Sequence, residues 1–112
     1  MGGVRIVALL FLVVSGVGAT NNSVELAVEL RAGEKTAEPD LWRISVGDRA
    51  TILWRTERRV ELHLHGYDVT VIAAPGEPGK MSFDATIPGR FPVEVHGSGS
   101  HAVVFYVEVH PQ

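Results

Sequence analysis

Four histidines hold most of the chemical potential of this sequence. His63 and His65 form an H-x-H pair, Glu94 and His96 an E-x-H pair, and His101 follows after a Gly-Ser-Gly-Ser spacer. On an extended strand, residues i and i+2 share a face and stand about 6.5–7 Å apart, which lets two imidazoles converge on one ion. His63 and His65 take the parity of Glu61, opposite Val60, Leu62 and Leu64. Glu94 and His96 lie opposite Phe91, Val93 and Val95, and the glycines and serines between His96 and His101 allow both to approach one point. A solvated polar face has the same pattern, so metal binding and simple solvation remain alternative readings. Asp68 and Glu94 are candidates for orienting an imidazole. His110, beside Pro111, reads as a solvated tail residue.

What is missing narrows the chemistry. The 112-residue chain has no Cys, so disulfides, thiolate metal sites, a cysteine nucleophile and iron–sulfur clusters are excluded. Three or four imidazoles without sulfur suit copper(II), or alternatively zinc(II), and their affinity should fall below about pH 6 as the rings protonate. There is no Gly-x-Ser-x-Gly, no phosphate-cradling glycine loop and no Ser/His/Asp order with supporting context, so no enzyme is expected. A net charge of −3 and a pI near 5.9 argue against a nucleic-acid partner.

The elements that must position these residues are strands. Residues 1–19 read as a cleaved secretory signal: Arg5 is the positive end, residues 6–14 are unbroken apolar, and Val17-Gly18-Ala19 offers small residues for cleavage. The run is shorter than the roughly 20 residues of a membrane-spanning helix, so no span is expected after cleavage. Residues 20–112 are then one domain. Val24, Leu26, Val28 and Leu30 alternate with polar or small residues, as do Val60, Leu62 and Leu64, and Ala50, Ile52 and Trp54 do so with Leu53 blurring the polar side. Val69, Val71 and Ala73, then Phe83, Ala85 and Ile87, then Phe91, Val93 and Val95 continue the pattern. Val103, Phe105, Val107 and Val109 share the last parity. Val46-Gly47-Asp48, the loop at 74–79, Pro88-Gly89 and the spacer at 97–100 punctuate these runs, and 33–40 reads as a surface loop. Seven or eight short strands without an amphipathic helix predict an all-β sandwich or barrel.

From Leu41 to Pro111 the chain resembles the cupredoxin family of small exported copper proteins. The resemblance rests on Ile44-Ser45-Val46-Gly47-Asp48 before the Trp54 strand, on His65-Gly66-Tyr67-Asp68, on Ala74-Pro75-Gly76 through Phe83, and on Pro88-Gly89-Arg90-Phe91. It implies a Greek-key β-sandwich or barrel and places a first metal ligand at His65. Val95 stands at the position of the family's cysteine, and no Met follows in the loop. Blue-copper electron transfer is therefore not implied. Taken with the spacing of His63, His96 and His101, the resemblance at His65 leads to the expectation of an exported, periplasmic or secreted protein that binds copper through His65, His96, His63 and His101 and serves in copper handling, with a periplasmic partner protein possible. The alternative is a metal-free β-sandwich that kept the scaffold, lost the site and acts as an interaction or structural module.

Overall fold

The computed structural model describes residues 6–13, 22–30, 39–97 and 100–111, with 6–13, 97, 100 and 101 described in their backbone alone. Nine strands and no helix lie among them: β1 (Ile6–Val13), β2 (Ser23–Leu30), β3 (Asp40–Ser45), β4 (Arg49–Thr56), β5 (Val60–Leu64), β6 (Val69–Ala73), β7 (Gly79–Asp84), β8 (Gly89–Gly97) and β9 (Ser100–His110). They form two sheets, one in the order β1-β2-β4-β7 and the other β3-β9-β8-β5-β6. The β2/β4 and β3/β9 pairs are parallel and the others antiparallel, so the chain passes repeatedly from one sheet to the other. Eight strands fall within residues 20–112, as the alternation predicts. The ninth, β1, comes from the apolar run read as a leader and pairs along the whole of β2.

Alternation places the core. Val24, Leu26, Val28, Ala50, Ile52, Trp54, Met81 and Phe83 of the first sheet are buried with Leu62, Leu64, Val93, Phe105, Val107 and Val109 of the second. Burying each large apolar side chain contributes about 1.5–3 kcal/mol, and a one-residue slip would turn these rows to water. At the centre, Trp54 meets Phe105 edge to face, with ring centroids 5.7 Å apart and planes at 86°. That geometry sets the positive ring edge of one partner against the negative face of the other. The β3–β4 turn is closed by Asp48, whose carboxylate accepts a hydrogen bond from the Ser45 amide at 2.9 Å. Gly47 there has φ 102°, which suits a residue without Cβ.

Three sequence expectations are corrected by local geometry. Val104 is buried and Val103 only half-buried, because the β8/β9 register shifts by one residue between Val93 and Glu94. The extra residue is a β-bulge, and it reverses the parity of β9 before Phe105. Ile87 is exposed although Ala85 is buried, since β7 ends at Asp84 and the chain leaves the sheet. Asp40 opens β3 rather than ending a loop, and residues 31–38 lie outside the described residues.

Candidate functional site

β5 and β8 are neighbours in the second sheet. Their register sets His63 opposite Glu94 and Glu61 opposite His96, while Leu62 and Leu64 oppose Val95 and Val93. The strict period of two sends the leucines and Val93 into the core and leaves the polar row on the outer face. His65 Nε2 lies 3.1 Å and His96 Nε2 3.3 Å from the same Glu94 oxygen, Oε1. His63 stacks edge-on against His65 with centroids 4.4 Å apart, and its Nε2 is 3.2 Å from Asp68 Oδ1. Two of the four histidines singled out by spacing thus meet at one carboxylate, and a third, His63, packs against His65.

The turn after β5 sets the position of His65. The His65 amide donates to the Pro92 carbonyl at 3.0 Å, and the Asp68 amide reaches back to Leu64 O at 3.0 Å. Gly66 adopts φ +90°, and a Cβ there would lie 2.2 Å from Phe91 Cδ1. Only glycine lets the turn close against that ring. Asp68 takes φ 59°, a left-handed conformation that Asp tolerates better than most residues, and this brings its carboxylate to His63. Tyr67 packs on Phe83 and Phe91, each with centroids 4.9 Å away. Its hydroxyl donates to Ile87 O at 2.7 Å and accepts from Ile87 N at 2.9 Å. In the sequence Tyr67 stands only as part of the His65-Gly66-Tyr67-Asp68 motif, and its one signal for this role is an aromatic residue inside a Gly-x-Asp turn.

The other candidates separate. His101 is the register partner of His96, and its side chain lies outside what is described. His110, read as a tail residue, instead has Nε2 2.7 Å from Glu108 Oε1. Arg90 donates to the other oxygen of Glu108, and Arg43 approaches Oε1 at 3.2 Å. The hydrogen bonds from Arg90 and His110 hold the Glu108 carboxyl below the usual carboxylate range.

A blue-copper ligand set does not fit these residues. Val95 packs against the core side of β8, on the face away from Glu94 and His96. Met81, the only thioether among the described residues, is fully buried on β7. No group of three His, Asp or Glu among the described residues is already assembled as a metal site.

No family model matches the sequence, and no curated protein is similar to it. Solved structures are similar in fold. A chain of a heme-copper terminal oxidase dimer superimposes with a TM-score of 0.58 at 16% identity, over 89% of this chain and 79% of that one. The multicopper oxidase mgLAC gives 0.57 at 19% identity, over 73% of this chain and 34% of the oxidase. A copper-containing nitrite reductase from Thermus scotoductus gives 0.54 at 17% identity, over 97% of this chain and 27% of the reductase. The chain therefore spans about a third or less of these last two proteins. At such identities the likeness shows the fold alone. With two packed sheets, no helix among the described residues and cupredoxin-like domains as neighbours, the chain has a cupredoxin-like Greek-key β-sandwich fold.

Proposed function

We propose that this is an exported cupredoxin-like protein that binds copper(II) through histidines in periplasmic copper handling, by binding and not by catalysis or blue-copper electron transfer. The observation that carries the reading is the approach of His65 and His96 to one carboxylate oxygen. His63 stands beside His65, and His101 opposes His96 in the ladder. Neutral imidazoles with no sulfur favour divalent copper or zinc. Export rests on residues 1–19. Their removal would bare the outer edge of β2, which Glu25 and Glu29 would then help keep from pairing with other strands. Mass spectrometry of protein recovered from an exporting host should find an N-terminus at Thr20, and an intact Met1 would remove this support.

The experiment for metal binding is calorimetric titration of the protein with copper(II) and zinc(II), alongside the copper d–d band. Binding tighter than that of an unstructured histidine peptide, lost in a His65→Ala, His96→Ala double variant, is expected. No binding, or binding unchanged in the double variant, would leave the second reading, a metal-free interaction module. Val95 in the thiolate position favours that reading, as does the lack of a preassembled three-ligand group among the described residues.

A further inference from the structure

We infer that Glu94 is itself a metal ligand, and that His65, Glu94 and His96 form a mixed nitrogen–oxygen site selective for divalent ions over copper(I). The inference rests on the histidine-binding reading above and assigns the chemistry of the same cluster. Around an ion with bonds of about 2.0–2.1 Å, neighbouring donor atoms in tetrahedral or square-planar geometry stand roughly 2.9–3.4 Å apart. The two separations from Glu94 Oε1, 3.1 Å to His65 Nε2 and 3.3 Å to His96 Nε2, have the length of such polyhedron edges. The His65 contact is not a hydrogen bond: Nε2 is covered from solvent, yet its approach to the carboxylate lies outside hydrogen-bond geometry. The covered His65 nitrogen, beside a carboxylate and without a hydrogen bond, is a polar atom that a cation would satisfy.

The backbone makes Glu94 the natural third donor. It stands between the two imidazoles on β8, directly across from His63, and its side chain is 25% exposed. The neighbouring strands bring the three side chains to one patch, with Glu94 Oε1 within 3.3 Å of both imidazole nitrogens. The donor set then decides which ion. A carboxylate oxygen is a hard, anionic ligand that stabilises copper(II) and zinc(II), whereas copper(I) prefers sulfur. Among the described residues sulfur is out of reach, since Met81 is buried on the opposite sheet and the chain has no Cys.

The test compares the wild-type chain with Glu94→Gln and Glu94→Asp, titrated with copper(II) and zinc(II) in air and with copper(I) under anaerobic competition with bicinchoninate. Thermal unfolding of each metal-free variant controls for folding. Glu94→Gln should weaken both divalent ions by more than about 100-fold, beyond the roughly 10- to 100-fold lost with a residue that only orients an imidazole, and leave copper(I) binding unchanged. Glu94→Asp should retain part of the divalent affinity. Electron paramagnetic resonance of the copper(II) form should show the same number of nitrogen donors in wild type and in Glu94→Gln. Wild-type binding of copper(II) that Glu94→Gln leaves intact would overturn the role of Glu94 while sparing the histidines. Equal losses for copper(I) and copper(II) would overturn the selectivity. Wild type that binds none of the three ions would overturn the histidine reading itself.

Discussion

His96 stands directly across from His101 in the β8/β9 ladder, and it does so because of the bulge at Val104. Below the bulge, Val93 faces Phe105; above it, Glu94 faces Val103. Without the extra residue, His96 would meet Ala102. A bulge re-aims the side chains that follow it, and here it sets the backbone position of His101 opposite His96. The same shift gives Ala102 to Val95, on the core-facing parity.

The first prediction follows from that register. His101→Ala should weaken copper(II) binding, because partners directly opposite in an antiparallel pair share a face. Adding Ala102→His in that background should not restore it, since position 102 faces the other way. Calorimetry on the single and double variants decides the matter. Rescue by the displaced histidine would mean that the ladder runs without the bulge in solution.

Gly66 yields a second prediction, with its own control. Gly66→Ala meets two penalties, a left-handed backbone and a Cβ driven into Phe91. Together these should cost about 2–4 kcal/mol. Gly76 has a similar φ of +76° but nothing within 4 Å of a Cβ, so Gly76→Ala isolates the backbone share, about 1–2 kcal/mol. Urea unfolding of both variants separates strain from crowding. Equal losses would show that Phe91 does not hold the turn that presents His65.

Tyr67 ties that turn to the segment before β8. Tyr67→Phe deletes both hydrogen bonds to Ile87 but keeps the ring against Phe83 and Phe91. The contacts are exposed, so the loss should be roughly 0.5–1.5 kcal/mol, with faster hydrogen exchange at the Ile87 amide. Tyr67→Ala should cost more, because the ring goes too. An unchanged exchange rate at Ile87 in Tyr67→Phe would show that the hydroxyl does not fasten the two segments.

Much of this arrangement could be read from alternation. Val24 to Leu30, Ala50 to Trp54 and Leu62 to Leu64 each show which face is buried, and the same parity sent His63, His65, Glu94 and His96 outward. Relations between strands were less visible. Residues 102–105 are Ala-Val-Val-Phe, apolar at every position, so no polar residue marks where the bulge falls. That Glu94 lies between His65 and His96 depends on the β5/β8 register, which local patterning does not encode. His110 looked like a tail because its partner, Glu108, is accompanied by arginines from β3 and β8 that are distant in sequence.

Those arginines underlie the last prediction. Glu108 is largely covered and draws Arg43, Arg90 and His110 together across three strands. The hydrogen bonds from Arg90 and His110 lower its carboxyl from the ordinary value of 4.5. A carboxyl lowered in the folded state releases its proton more readily there than in the unfolded chain. Its contribution is therefore fully present above about pH 4.5 and disappears as pH falls through the lower, folded-state value. Glu108→Gln should be less stable than wild type near neutrality, and its stability should fall less steeply on acidification. Unfolding midpoints in urea from pH 7 down to pH 3 measure both slopes. Parallel curves would show that the guanidinium and imidazole contacts to Glu108 contribute nothing to holding β3, β8 and β9 together.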